Sequence, residues 1–498
     1  MSRITQADLE KYLFGCADIL RNNVEASSYR DYIFPLLFFK RINDVYDEDI
    51  ENAKKEYGES WVDFPEDEIH DFSIPVGCHW HDLRSVTENV GLAIQKCFHG
   101  LESMNTDKLG GVFGNVNWSN KAELPDRVLK DLIEHLSTLT LSIENCPEDE
   151  LGHGYEYLIG KFDSDDGHTA QQFYTNRTVA HLMAEMLNPR PKESIYDPTC
   201  GSGGILISCI DHIKSRGQEW RNVKVYGQEI IPPTASICRM NLFLHGVKEF
   251  TIRTGDTLST PAFLEKNELK KFDLVVANPP YSISNWDRDA FSTDKYGRNI
   301  LGTPPQGRAD YAFIQHILKS MDSITGRCAI LLPHGVLFRK EEAELRKRLV
   351  ELDLIEAVIG LGPNLFYNAT MEACVMVCRS NKSTNRKNKI LLVNAVKEVT
   401  RKNAESYLED THIQRIVNAF KDYSDESGFA KVVTKKEIGE NNYSLNIAHY
   451  VRDIGCGPIA LSAEQCAETW RKQSEVANSS ILKLSKLIDI GGDKGWPE

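Results

Sequence analysis

The chain has 498 residues, which is too long for one hydrophobic core and predicts about three units at roughly 150 residues per domain. Its 41% apolar and 26% charged residues exclude the disordered, collagen-like and disulfide-dense classes. The net charge of -14 argues against a chain that binds duplex DNA alone, because nonspecific affinity comes from neutralising phosphates.

The sequence carries no signal for a membrane or for a disulfide framework. No apolar run approaches the roughly 20 residues of a spanning helix, and the N-terminus lacks a signal-peptide pattern, so we expect a cytoplasmic protein without membrane contact. No two of the twelve cysteines form a C-x-x-C pair, so we expect reduced thiols and no metal site.

Three regions follow one another along the chain. Residues 1–160 show helical periodicity and predict an N-terminal α-helical domain. Residues 161–455 alternate short β-branched runs with amphipathic helices, which predicts an α/β, doubly wound, Rossmann-like catalytic domain whose parallel sheet is covered on both faces. Residues 456–498 predict a short helical C-terminal tail that docks on a partner.

The elements of the α/β region are predicted from apolar runs and their spacing. Strands are expected at residues 194–197, 223–228, 251–254, 272–277, 328–332, 354–359, 373–378 and 389–393. Helices are expected at residues 177–187, 205–214, 234–245, 310–321 and 341–352.

A glycine turn, DPTCGSGG at residues 197–204, follows the first strand and opens a helix. In a doubly wound sheet a nucleotide-like cofactor lies at this place. The spacing is not G-x-G-x-x-G, and Asp197 precedes the turn, so a cationic ligand fits better than a pyrophosphate. The ammonium and sulfonium of S-adenosylmethionine suit that carboxylate. A purely structural turn remains the alternative.

Two further carboxylates end the next strands. Glu229 can accept hydrogen bonds from a ribose diol, as acidic residues do in dinucleotide folds. Asp256 can accept from an adenine amino group. Spacing alone does not separate either role from that of a surface carboxylate.

The motif NPPY at residues 278–281 follows the fourth strand. An exocyclic amine on an aromatic ring is a poor nucleophile because its lone pair is delocalised, so a catalyst needs acceptors aimed at its hydrogens. The Asn278 carboxamide oxygen and the Pro279 carbonyl can accept, Pro280 restricts the backbone, and Tyr281 can stack on a base. A merely rigid loop is the alternative; a WW-domain ligand would need a residue between Pro280 and Tyr281.

These motifs resemble, in their order, the N6-adenine DNA methyltransferases and the modification (M) subunit of type I restriction-modification systems. The similarity extends over most of the chain. Besides DPTCGSGG and NPPY it includes QFYT at 172–175, GRADYAF at 307–313, GRCAILLP at 326–333, NLF at 364–366 and YSLN at 443–446.

The resemblance implies an S-adenosylmethionine-dependent methyltransferase fold and a set of site residues. The implied cofactor-binding residues are Gln172, Phe173, Tyr174, Thr175, Asp197, Pro198, Thr199, Gly201, Ser202, Gly203, Glu229, Asp256 and Asn278. The implied catalytic residues are Asn278, Pro279, Pro280 and Tyr281. The family usually has Thr-Pro where this chain has Thr175-Asn176, a departure that bears on the rigidity of the cofactor lid.

The resemblance also implies partners: DNA, a specificity (S) subunit flanked by two M subunits, and a restriction (R) subunit in the full complex. This agrees with the acidic net charge. The basic residues Arg379, Lys382, Arg386, Lys387 and Lys389 are interpreted as a solvated loop, with phosphate contacts as the alternative.

The sequence thus predicts methyl transfer from S-adenosylmethionine to the N6 of an adenine flipped out of duplex DNA. Two rivals stay open: a protein-glutamine or RNA methyltransferase, since the loop can hold any planar amide or amine, and an assembly module without turnover.

Overall fold

The computed structural model describes residues 4–25, 28–165, 175–363, 365, 372–402, 405–452, 470, 471 and 474. Within these residues no helix has both the length and the apolarity needed to cross a membrane. Ten cysteines fall in this part of the chain, and all are buried free thiols.

The N-terminal region is helical, as predicted. Its helices are α1 (Gln6–Leu20), α2 (Tyr29–Tyr57), α3 (Glu66–Ile69), α4 (Trp80–Ser85), α5 (Val90–Met104), α6 (Thr106–Leu109), α7 (Asp126–Leu136) and α8 (Glu148–Asp165). Thr5 begins α1 by accepting a hydrogen bond from the Asp8 backbone. The first half of α2 is buried almost on every side, so it is the centre of the helical core. The predicted boundary at residue 160 falls inside α8, and the division into domains stays a prediction.

The rest of the chain alternates strands and helices. The elements are α9 (Arg177–Leu187), β1 (Ser194–Asp197), α10 (Gly204–Ser215), β2 (Lys224–Glu229), α11 (Pro232–Leu244), β3 (Phe250–Thr254), β4 (Leu264–Glu265), β5 (Glu268–Leu269), β6 (Leu274–Ala277), α12 (Arg288–Ser292), α13 (Asp310–Ser320), β7 (Arg327–Pro333), α14 (Ala343–Glu351), β8 (Ile355–Leu361), β9 (Ala373–Arg379), β10 (Lys389–Ala395), β11 (Thr400–Lys402), β12 (Glu405–Tyr407), α15 (Asp410–Asp422), β13 (Ala430–Thr434), α16 (Lys435–Glu440) and α17 (Ile447–Tyr450).

One sheet of nine strands organises this region, in the order β13-β10-β8-β9-β7-β6-β1-β2-β3. The prediction of a wholly parallel sheet is wrong, because β9 runs antiparallel to β7 and β8, and β13 runs antiparallel to β10. The segment between β8 and β9 is shorter than the dozen or more residues that a parallel crossover needs. A segment of that length can return the chain as an antiparallel neighbour of β8.

The strand order reverses at β1, which lies between β2 and β6. Both pairings of β1 are parallel, and Tyr196 of β1 is in register with Val275 of β6. The carboxyl ends of β1 and β6 therefore open side by side. In a doubly wound sheet such a switch point is the crevice where ligands bind.

The helical core also extends onto the sheet region. Ile237, Met240 and Leu244 of α11 are buried in the same apolar cluster as the N-terminal helices. Phe243 of α11 packs edge-to-face on Phe38 of α2, with ring centroids 5.0 Å apart. The N-terminal helices are thereby packed against α11, the helix that follows β2.

Candidate active site

Asp197 ends β1 in the crevice and is only 1% exposed. Its Oδ1 accepts hydrogen bonds from the Thr199 backbone at 2.9 Å and from the Thr199 hydroxyl at 3.4 Å. Burial raises the pKa of the Asp197 carboxyl to about 8, although the Thr199 N–H favours the ionised form. Near neutral pH the carboxyl is therefore mostly protonated, and a bound cation would favour its ionisation.

The glycine turn after Asp197 packs tightly on α11. Gly201 and Gly203 have φ angles of +53° and +87°, a region that suits glycine. A Cβ at Gly203 would lie 2.9 Å from the Cys238 sulfur, and the Asn241 amide donates to the Ser202 carbonyl at 2.9 Å. The turn thus has both the conformation and the close packing that require small residues.

Glu229, at the end of β2, joins two loops of the crevice. Its Oε2 accepts from the Gly201 N–H at 3.0 Å, and its Oε1 accepts from the Ile231 N–H at 2.9 Å. Burial raises the pKa of this carboxyl above its usual value. Each oxygen keeps a lone pair for a further donor, so the carboxylate can still accept from hydroxyl groups.

Asp256, after β3, caps its own turn. Its Oδ1 accepts from the Leu258 N–H at 2.9 Å, and its Oδ2 accepts from the Ser259 hydroxyl at 2.5 Å. Thr257 donates to the Pro198 carbonyl at 2.5 Å, which ties this turn to the loop after β1. The structure brings the predicted cofactor residues of three strand ends together, with Asp256 holding the loop geometry.

Asn278 follows β6 directly and is partly exposed at the crevice. Its Nδ2 donates to the Thr175 hydroxyl at 3.1 Å. This bond orients the carboxamide and leaves its Oδ1 as the acceptor. Pro279 is buried beside it, whereas Pro280 is half-buried.

Tyr281 has a half-buried ring and a buried hydroxyl. No described residue forms a hydrogen bond with that hydroxyl. Burial raises the pKa of the phenol well above its ordinary value, and Cys374 and Asp310 add to the shift. The phenol therefore keeps its proton at physiological pH.

Gln172, Phe173 and Tyr174 of the predicted cofactor segment lie outside the described residues, as do Asn364 and Phe366 and nearly all of the tail after residue 456. Their predicted roles stay predictions.

Asn176, the departure from the family pattern, is the N-cap of α9. Its Oδ1 accepts from the Thr178 N–H at 3.0 Å and from the Thr178 hydroxyl at 2.7 Å. Its Nδ2 donates to the Ser406 carbonyl of β12 at 3.0 Å. The side chain thus fastens the start of α9, next to Thr175, in a way that proline cannot.

Three residues of the basic stretch at 379–389 form ion pairs within the fold. Arg379 and Arg386 pair with the two oxygens of Glu356 at 2.9 and 3.0 Å. Lys382 is 4% exposed and pairs with Asp353 at 2.8 Å. These cations are used within the fold, so neither phosphate contacts nor a solvated loop is correct for them.

A buried network that no sequence motif indicated lies against the turn after β3. Arg298 is 2% exposed and donates to the carbonyls of Thr257 at 3.0 Å and Leu258 at 2.7 Å. Its Nη1 lies 3.4 Å from Nδ1 of His316, whose Nε2 lies 3.1 Å from the Tyr196 hydroxyl. Burial, with Arg298 adding to it, lowers the pKa of His316 to about 3, so the imidazole is neutral.

The sequence model of the family described as N-6 DNA Methylase matches residues 147–455, and that of the HsdM N-terminal domain matches residues 9–136. The type I restriction enzyme MjaVIII methylase subunit of Methanocaldococcus jannaschii is 30% identical, covering 95% of this chain and 84% of that protein. The MjaIX methylase subunit of the same organism is 28% identical, covering 97% and 92%.

A solved structure, the type I restriction-modification system methyltransferase subunit from Streptococcus thermophilus, matches with a TM-score of 0.78 at 28% identity. The match covers 90% of this chain and 100% of that one. Together with the observed sheet and helices, it confirms the predicted fold class.

Proposed function

The chain belongs to the N-6 DNA methylase family of type I restriction enzyme methylase subunits, and we propose that it methylates the N6 of an adenine flipped out of duplex DNA. The observation that supports this most is the pairing of β1 with β6. It puts a buried carboxylate, Asp197, at the same switch point of the sheet as the side-chain amide of Asn278. Asn278 is the first residue of the NPPY loop, residues 278–281, which is called the NPPY hook below. A methyl donor and an amine acceptor need neighbouring places of this kind.

We propose S-adenosylmethionine as the cofactor. Its sulfonium supplies an activated methyl group. Asp197 would hold the ammonium of the methionine part, and Glu229 would accept from the ribose hydroxyls. Ile230, which is 60% exposed beside Glu229, offers apolar surface for the adenine ring, with Asp256 at its edge. The turn of Gly201 and Gly203 suits this cofactor because its backbone can come close to a ligand.

The target base would be held by the residues after β6. The Asn278 Oδ1 and the Pro279 carbonyl accept the two hydrogens of N6, which favours the tetrahedral, nucleophilic form of that nitrogen. Pro280 restricts the hook, and the Tyr281 ring stacks on the base. Catalysis is then mostly alignment and local electrostatics, and the surplus proton passes to water.

We propose that the chain works as part of an assembly with DNA, an S subunit flanked by two copies of this chain, and an R subunit in the complete enzyme. Two facts support a division of labour. The relatives are named as subunits, and the net charge of -14 opposes independent binding to phosphates.

The test is transfer of radioactive methyl to genomic DNA, with and without the candidate S subunit, followed by mapping of the modified base. We expect N6-methyladenine only with the partner, and none with Asn278→Ala. Label in RNA or protein but never in DNA would support the rival acceptors. Absence of S-adenosylmethionine binding in calorimetry would support a module without turnover.

A further inference from the structure

The residue after Tyr281 has an unusual backbone conformation. Ser282 has a φ angle of +52°, a left-handed conformation that residues with a side chain rarely adopt. Such a conformation persists only where surrounding contacts hold it, and it is found disproportionately at functional sites. The contacts of Ser282 therefore bear on the geometry of the NPPY hook.

Asp310 supplies those contacts. Its Oδ1 accepts from the Ser282 N–H at 2.8 Å, and its Oδ2 accepts from the Ser282 hydroxyl at 3.3 Å. One position earlier, the Ala309 N–H donates to the Ile283 carbonyl at 3.2 Å. The start of α13 thus binds both residues that follow the hook.

Arg339 completes the arrangement. Its Nη1 donates to Oδ2 of Asp310 at 2.8 Å, and its Nη2 donates to the Ser282 hydroxyl at 3.4 Å. Asp310 is 1% exposed, so its carboxylate depends on this arginine for charge compensation. The guanidinium lies against Gly335, where a Cβ would come within 2.4 Å of its Nε.

A second buried carboxylate limits the freedom of the arginine. Oε2 of Glu342 lies 3.6 Å from Nη1 of Arg339, and Glu342 is fully buried. The Arg339 carbonyl accepts from the Arg346 guanidinium at 3.0 Å. Arg339 is consequently fastened at its backbone and at its head group.

We infer that Asp310, with Arg339 behind it, is a positioning residue for the target base: it holds Ser282 in the left-handed turn that aims Asn278 and Tyr281 into the crevice. The inference rests on the proposed function. It assigns a role to Asp310 of the GRADYAF segment, which lies about thirty residues beyond Tyr281 in the sequence.

The test replaces the anionic acceptor with the isosteric amide, Asp310→Asn, in the full chain assembled with its S subunit. We expect kcat for DNA methylation to fall roughly 10- to 100-fold, as small misplacements of reacting groups do. The Kd for S-adenosylmethionine should stay within about twofold. Fluorescence of 2-aminopurine at the target position should report a base held less well.

A second substitution that restores kcat to Asp310→Asn would distinguish a positioning role of Asp310 from a general structural role. Ser282→Gly added to Asp310→Asn should recover a large part of kcat, because glycine adopts φ near +52° without being held. Ser284→Gly, an exposed serine two residues further on, is the matched control and should rescue nothing. Full activity of Asp310→Asn, or equal rescue by both glycines, would overturn the inference.

Arg339→Lys keeps the experiment decisive should Asp310→Asn not fold. It preserves the charge but loses the fork that reaches both Asp310 and Ser282. We expect a smaller loss of kcat, again rescued by Ser282→Gly; an unchanged kcat contradicts the inference. Absence of DNA methylation by the unmodified assembly would instead contradict the proposed function, so the two failures are distinguishable.

Discussion

The Thr175 hydroxyl accepts a hydrogen bond of 3.1 Å from the side-chain amide of Asn278, across 103 residues of sequence. The bond joins the segment predicted to border the cofactor to the residue predicted to hold the target base. Since Nδ2 is used in this contact, the carboxamide presents its oxygen, the atom that amine activation requires. The two halves of the proposed reaction are thereby coupled through one hydroxyl.

Removal of that hydroxyl with little change in shape should reduce turnover. Thr175→Val leaves the Asn278 amide free to rotate, and one lost hydrogen bond of about 1 kcal/mol corresponds to roughly a fivefold lower kcat. Steady-state methylation kinetics measure the effect. Ser215→Ala, which removes a hydroxyl from the last turn of α10, is the control and should leave kcat unchanged. An unaltered kcat in Thr175→Val would show that the contact does not orient Asn278.

Binding of the cofactor should release a proton from Asp197. The free carboxyl has a pKa of about 8 and is mostly protonated at pH 7, whereas a bound ammonium favours its ionised form. We therefore expect affinity to rise as the pH increases from 6 towards 8. Calorimetry in two buffers of different ionisation enthalpy counts the released protons. Asp197→Asn should bind more weakly and release none; equal proton release by both proteins would refute the assignment.

Replacement of Glu342 should stabilise the protein in a pH-dependent way. Burial raises its pKa from 4.5 to about 7. At pH values between these two, the folded protein therefore keeps a proton on Glu342 that the unfolded protein has released. The contribution of Glu342 to stability therefore falls as the pH rises from about 4.5 to 7, and the penalty persists above that.

We expect Glu342→Gln to raise the free energy of unfolding by about 1 to 3 kcal/mol at pH 8 and by much less at pH 5. Thermal unfolding at the two pH values measures the difference. The neighbouring Glu341 has a side chain that is 69% exposed, so Glu341→Gln is the matched control and should change little at either pH. A stabilisation that is the same at both pH values would contradict the claim that the buried Glu342 carboxyl becomes ionised between pH 5 and pH 8.

Loss of the Asn176 cap should loosen the start of α9. Asn176→Ala removes the acceptor for Thr178 and the donor to Ser406, and we expect a loss of about 1 kcal/mol in the free energy of unfolding. Asn176→Asp keeps the acceptor and should lose less. Asn176→Pro, the residue usual in the family, should destabilise about as much as alanine because it also lacks both bonds. Denaturant titration ranks the three variants, and a proline variant as stable as the parent would contradict this account.

Several elements follow from local pattern alone. The predicted limits of α9 and β1 coincide with the observed ones, because their apolar spacing and their flanking residues are local signals. The direction of a strand, in contrast, does not follow from local pattern. The direction of β9 depends on how the chain returns to the sheet, and its apolar run reads the same in either direction.

The partners of charged residues could not be predicted either. Arg379 and Arg386 form a basic stretch in the sequence, yet both bind Glu356, which lies 23 and 30 residues away. Arg298 and Asp310 show the same effect. Arg298 donates to the Thr257 carbonyl, 41 residues away, and Asp310 accepts from the Ser282 N–H, 28 residues away. Pairings of this kind arise only when the sheet register brings distant segments into contact.

The sequence by itself determined the family, the order of the elements and the residue types that follow β1 and β6, because periodicity and short motifs are properties of contiguous residues. The tertiary structure alone decided that Thr175 orients Asn278, that Asn176 replaces a proline by capping a helix, and that Asp310 holds the turn after Tyr281. Hydrogen bonds between distant residues depend on distance and direction, which packing establishes and composition does not.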